Sequence, residues 1–175
     1  MQDVIEMARH IALAVFDVDG VLTDGGLVLG EDGAEFKIFH VRDGQGLVML
    51  RDSGCRVAVI TARNSKVVAE RMHSLGIEHV YQGQNHKGRA LDELMQKLEL
   101  KTQQTAYVGD DLLDLPAMKR AGLAIAVADA HPAVKAQAHW VTTARGGHGA
   151  VREVCEFIME AQGKLQAVIR NSLGD

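Results

Sequence analysis

Two groups of carboxylates sit at the ends of apolar runs. In LAVFDVDGVLTDGG (13–26) the run ends on Asp17 and Asp19, one residue apart, and drops into Gly20; in AYVGDDLLDLP (106–116) it ends on Asp110 and Asp111, with Asp114 three residues on. Side chains two apart on a strand lean to one side, so Asp17 and Asp19 share an edge of whatever sheet that strand joins. Carboxylates held together at neutral pH repel one another, and an oxygen-ligated divalent cation, Mg²⁺ beside a phosphate, relieves that repulsion. Taken alone, each group is as well explained by a solvated turn, where Asp bonds its own backbone. Asp114 also suits the electrostatics of a helix start. Two strands delivering acid pairs to one edge are harder to explain in that way.

Two further residues fit the same chemistry. Thr61 closes the apolar run of VAVITARNS (57–65) just before a helix pattern, where a hydroxyl and backbone N–H groups make an anion cradle. Lys87, in QNHKGRALDEL (84–94), stands at another helix start, where a cation is unfavourable unless an anion lies nearby. Carboxylates, a hydroxyl and an ammonium around one point are the equipment of phosphoryl transfer.

These residues need a scaffold that brings them to one edge. Short apolar runs at 11–18, 56–61, 79–82, 105–109, 123–127 and 140–143 read as strands buried on both faces. Between them lie helix patterns at 44–53, capped by Asp43, and at 65–75, 87–98 and 112–121, the last ended by Gly122. The alternation predicts a doubly wound α/β fold with a mostly parallel sheet and helices on both faces. One segment breaks it: apolar runs flanking Glu31-Asp32-Gly33 read as a β-hairpin inserted after the first strand. The C-terminus reads as a glycine-rich loop and one long helix, whose last dozen residues are expected to fray or to wrap a neighbour.

The composition is that of one ordinary globular unit: 175 residues, 47% hydrophobic, 24% charged and only 4% aromatic. A net charge of -4 without any basic run argues against a nucleic-acid partner. The first residues carry acids where a cationic leader would stand, and no apolar stretch is long enough for a membrane span, so a cytoplasmic protein is expected. Cys55 and Cys155 have no metal-type spacing and read as reduced packing residues.

With DVDGV, Thr61, Lys87 and GDDLLD in this order from Phe16 to Asp114, the sequence resembles the haloacid dehalogenase superfamily of phosphohydrolases. FHVRDGQG, ITAR, YQGQNHKG, AVADAHP and GGHGAVREVCE extend the resemblance to its capless branch over nearly the whole chain. The resemblance implies one phosphatase domain over 1–175, with the hairpin at about 25–42 and a C-terminal loop and helix at about 145–175. It also implies Mg²⁺-dependent release of phosphate from a sugar acid phosphate, 3-deoxy-D-manno-octulosonate 8-phosphate of lipopolysaccharide synthesis, or a nine-carbon relative of it. Asp17 would be the nucleophile and Asp19 the acid and base. Thr61 and Lys87 would hold the phosphoryl group. The metal ligands would be Asp17, the Asp19 carbonyl and Asp110, with Asp111 and Asp114 behind them.

An acidic sugar needs a cationic anchor, for which Arg63 is a candidate, while Arg145 and His148 could close over the site. The capless branch also implies a homotetramer whose hairpins pair, with Leu27, Val28, Leu29, Phe36, Ile38 and Phe39 covered by neighbouring subunits. Two rivals fit less well. A receiver domain places its acid pair first and its phosphorylated aspartate later, the reverse of the order here. A non-catalytic oligomerisation module has no need for so costly a cluster of charge.

Overall fold

The computed structural model describes residues 2–173. Six parallel strands, β1 (Leu13–Phe16), β4 (Arg56–Ile60), β5 (His79–Tyr81), β6 (Thr105–Gly109), β7 (Leu123–Ala126) and β8 (Trp140–Val141), form one sheet in the order β5-β4-β1-β6-β7-β8. From β1 the chain winds outward through β4 to β5, returns to the other side of β1, and winds outward again through β7 to β8. Right-handed crossovers then put the helices of the two halves on opposite faces. The order reverses beside β1, and the crevice outside the strand ends at such a switch point is where this architecture binds ligands.

β1 is wholly buried, as its unbroken LAVF requires, because neighbours cover both of its edges and helices cover both of its faces. Helices α1 (Gln2–Arg9), α2 (Val41–Asp52) and α7 (Ala150–Ala161) pack together, and α4 (Lys87–Lys97) packs with α5 (Leu115–Met118). The remaining helices are α3 (Lys66–Ser74), α6 (Pro132–Lys135) and α8 (Leu165–Leu173). Two strands of two residues each, β2 (Val28–Leu29) and β3 (Glu35–Phe36), pair antiparallel as the inserted hairpin.

Four elements differ from the sequence-based expectation. α2 begins at Val41, so Asp43 lies inside its first turn and does not cap it. The helix expected over 112–121 is a 3₁₀ turn (Leu112–Asp114) followed by α5, because Pro116 brings no N–H and is tolerated only in a first turn. The long C-terminal helix is two. Gly163 adopts a left-handed φ of +69°, and the N–H groups of Gly163 and Lys164 bond the Glu160 and Met159 carbonyls at 2.9 and 2.8 Å, closing α7 with a Schellman turn. Most of the tail expected to fray is therefore α8, which packs against α7 through Leu165 and Val168; its last two residues lie outside the described ones.

Leu13, completely buried at the start of β1, reports on this core at a distance from the carboxylates. Leu13→Ala is expected to cost about 2–5 kcal/mol, read as a lowered midpoint in urea unfolding.

Candidate active site

Three of the predicted strands deliver a polar residue to the same edge. β1 runs directly into Asp17, whose N–H bonds the Val108 carbonyl of β6 at 3.1 Å, and β6 runs directly into Asp110. β4 runs directly into Thr61, whose N–H donates to the Tyr81 carbonyl at 2.9 Å and whose carbonyl accepts from the Gln84 N–H at 2.9 Å. Lys87 opens α4. Asp17, Asp19, Thr61, Arg63, Lys87, Asp110, Asp111 and Asp114 line one cavity of about 270 Å³ at the C-terminal edge of the sheet. Larger hollows beside α1 lie at the opposite edge and hold no comparable convergence of buried charge.

The electrostatics centre on a buried triad. The Lys87 ammonium lies 2.9 Å from Asp17 Oδ2 and 2.7 Å from Asp114 Oδ1, and all three residues are buried. The unfavourable lysine at a helix start thus finds its anions in the protein itself. Burial alone would lower the ammonium's pKa; Asp17 and Asp114 outweigh it and hold it above the ordinary value. Asp114 is saturated. It accepts from Lys87 and the Tyr107 hydroxyl on Oδ1, and from the Asp110 and Asp111 N–H groups on Oδ2. Its role is to orient the loop after β6 and to fix Lys87.

Asp17 and Asp110 are the opposite case. Oδ1 of each is buried with no hydrogen-bond partner. Burial, then Asp114, raises the Asp17 carboxyl from 3.8 to about 7, against the pull of Lys87. Burial, then Asp114 and Asp17, raises Asp110 to about 8. Two orphaned carboxylate oxygens aimed at one point are donors for a hard divalent cation, and one oxygen from each of Asp17, Asp110 and Asp114 lies within 4.8 Å of the others. Because Asp114 is already spoken for, Asp17 and Asp110 are the carboxylates that fit a Mg²⁺ ion. Gly20 makes room for them: at φ +89°, a Cβ on it would come within 2.1 Å of Asp110 Oδ2.

The hairpin supplies two site residues that the sequence reading missed. Lys37 forms an ion pair with Asp19 and lies 3.4 Å from Glu35, with only 1% of its side chain exposed. Glu35 in turn meets Arg63 at 3.0 Å. The signal was present in GAEFKIF, where Glu35 and Lys37 are two apart and share a face, with Phe36 and Ile38 on the other. Arg63 is half-exposed at the cavity mouth and already paired. Arg145 bonds Asp129 and His148 bonds the Gly146 carbonyl; neither lines the cavity. Asp111 caps the 3₁₀ turn through the Leu112 N–H.

A sequence model of haloacid dehalogenase-like hydrolases matches residues 60–154. The 3-deoxy-D-manno-octulosonate 8-phosphate phosphatase KdsC of Yersinia pestis is 50% identical over 94% of this chain and 88% of its own length. The chain belongs to the haloacid dehalogenase-like hydrolases. Among solved structures of these hydrolases, the 3-deoxy-D-manno-octulosonate 8-phosphate phosphatase of Moraxella catarrhalis, in complex with magnesium, phosphate and KDO, superposes with a TM-score of 0.96 at 44% identity, covering 98% of each chain. The cobalt-bound deoxy-D-mannose-octulosonate 8-phosphate phosphatase of Haemophilus influenzae gives a TM-score of 0.89 at 42% identity, covering 92% of this chain and 94% of that one. The fold of these hydrolases is therefore shared over nearly the whole chain.

Raised carboxyl pKa values have a signed consequence. Without metal, Asp17 and Asp110 bind protons more tightly folded than unfolded. Their contribution to stability is complete below 3.8 and lost as pH rises through about 7 for Asp17 and about 8 for Asp110. Metal displaces those protons, so the rise in melting temperature on adding Mg²⁺ to stripped protein is expected to be larger at about pH 8 than at about pH 6. Equal shifts in scanning calorimetry would contradict the assignment. Asp114→Ala, which strands buried donors, is expected to destabilise by about 3–5 kcal/mol in urea titration.

Proposed function

We propose that this chain is a Mg²⁺-dependent phosphomonoester hydrolase that releases phosphate from 3-deoxy-D-manno-octulosonate 8-phosphate, supplying the free sugar acid for lipopolysaccharide synthesis. The observation that carries the reading is the orphaned, buried Oδ1 of Asp17 at the end of the central strand, facing a cavity that also holds Lys87, Thr61 and Asp110. The identity to KdsC phosphatases and the likeness to the KDO-bound Moraxella enzyme support the substrate.

In this reading residues 1–175 are one catalytic domain. An Asp17 oxygen attacks phosphorus, forming an aspartyl phosphate as the bond from phosphorus to the sugar oxygen breaks. Asp19 gives its proton to the departing oxygen, then takes one from the water that attacks the intermediate. That second displacement frees inorganic phosphate and restores Asp17. The Lys87 ammonium and the Thr61 hydroxyl hold the phosphoryl oxygens, and Asp111 and Asp114 support the loop that carries Asp110. Mg²⁺ held by Asp17, Asp110 and the Asp19 carbonyl would offset the repulsion between an anionic nucleophile and an anionic ester. Arg63, released from Glu35, is the cation nearest the mouth for the sugar carboxylate. Arg145 and His148 reach the substrate only if their loop moves.

The hairpin supports assembly as a homotetramer. Leu27, Val28, Leu29, Phe36 and Ile38 are each more than half exposed, whereas Phe39, expected to join them, packs on the core. An apolar patch on two-residue strands is poorly stable in water unless another chain covers it. We also place the protein in the cytoplasm, in keeping with its sugar phosphate substrate; no described helix is long and apolar enough to cross a membrane.

Phosphate release is the direct test. Octulosonate 8-phosphate is expected to be cleaved faster than hexose phosphates and nine-carbon acid phosphates, with activity lost on chelation and restored by Mg²⁺. Asp17→Asn is expected to reduce turnover by at least about 10³-fold while the fold survives. Comparable rates across the panel would remove the substrate assignment, and an active Asp17→Asn would remove the mechanism. In light scattering, Leu29→Lys is expected to lower the oligomer mass.

A further inference from the structure

FHVRDGQG and GGHGAVREVCE contain residues that the mechanism does not use, and the structure joins them. Asp43 sits in the first turn of α2 with only 1% of its surface exposed. Its carboxylate reaches across to α7. Oδ1 accepts from the Arg152 N–H at 2.9 Å and Oδ2 from the Gly149 N–H at 3.2 Å. α7 has no side-chain cap of its own, because its N-cap position is Gly149, so Asp43 supplies the acceptor from 106 residues earlier in the chain.

The loop that enters α7 lies directly on the turn that carries Asp19. The Gly147 N–H bonds the Val21 carbonyl at 2.9 Å. A Cβ on Gly146 would come within 1.7 Å of the Gly20 carbonyl oxygen, and one on Gly147 within 2.4 Å of the Asp24 nitrogen, so the two backbones touch with no space for a side chain. On its other flank the loop is tied to Asp129, which accepts from the Gly146 N–H at 2.9 Å and from Arg145 Nε at 3.1 Å. The turn itself is wound about Val18, whose carbonyl receives the N–H groups of Val21, Leu22 and Thr23. Asp19 stands inside this turn, and its other restraints are Lys37, on the hairpin that leads into α2, and Arg63, whose Nε lies 3.9 Å from Asp19 Oδ2. The chain of contacts thus runs from Asp43 to the 146–149 loop, to the 18–24 turn, to Asp19.

We propose that Asp43 is a positioning residue for Asp19: by clamping the N-terminus of α7 it presses the glycine loop on the 18–24 turn and fixes where the Asp19 carboxyl meets the departing oxygen. Asp43 touches neither substrate nor metal ligand. The inference rests on the reading of Asp19 as the proton donor.

The leaving group separates positioning from mere stability. A sugar alkoxide needs a proton as it departs and p-nitrophenolate does not, and kcat/KM reports only the steps through phosphoryl transfer to Asp17. For Asp43→Asn, kcat/KM is expected to fall about tenfold or more with octulosonate 8-phosphate and by less than about threefold with p-nitrophenyl phosphate. Asp43→Glu, which keeps the charge, should recover part of the loss. Gly146→Ala pushes the same contact from the loop side and should show the same split, which covers the case in which Asp43→Asn folds poorly. Asp19→Asn is the control. If it shows the split and neither other variant does, or if both substrates lose the same factor in Asp43→Asn and Gly146→Ala, the positioning role is overturned. If Asp19→Asn itself shows no split, the reading of Asp19 fails and the inference with it.

Discussion

Three carboxylates share the buried edge of this sheet with one ammonium. Lys87 satisfies one oxygen of Asp17 and one of Asp114, and nothing among the described residues satisfies the Oδ1 atoms of Asp17 and Asp110. The excess of negative charge is the constraint around which the rest is arranged. Separate carboxylates would simply be hydrated at the surface. Here β1 and β6 are neighbours in register, so their ends cannot part, and Asp114 is locked by four donors and cannot swing away. The fold imposes the repulsion, and a bound divalent cation would relieve it. Stability has been given up at this edge in favour of chemistry, as the raised carboxyl pKa values express.

The topology explains why so few residues suffice. A strand order that reverses beside β1 leaves a crevice there, and the adjoining strand ends each contribute one functional group: two give a carboxylate and the third a hydroxyl. The ammonium arrives on a helix start from the far half of the sheet. Catalytic groups on rigid strand ends need little further support. Asp19, three residues beyond the end of β1, is not so placed, and this accounts for the outside restraints on it: the hairpin lysine, Arg63 and the glycine loop.

Much of this was legible in the sequence. Unbroken apolar runs ending in polar groups, several of them together, point to buried strands that share an edge, so β1, β4, β6 and the convergence of Asp17, Thr61, Lys87 and Asp110 could be read directly. What could not be read depended on partners distant in the chain. Asp43 looks like a local cap until α7 is known to end against it. Tyr107 looks like core until Asp114 is known to need its hydroxyl. Arg145 and His148 follow a motif, yet their present partners, Asp129 and the Gly146 carbonyl, are set by how the loop docks. Helix lengths were overestimated where Pro116 and Gly163 interrupt an otherwise continuous pattern, since periodicity alone does not register a backbone break.

The hairpin segment 35–38, β3 and the two residues after it, alternates charge toward Asp19 and Arg63 with apolar surface toward solvent. Because that alternation has a period of two, insertion or deletion of one residue within it would exchange the faces, sending phenylalanine toward the carboxylate and lysine toward solvent.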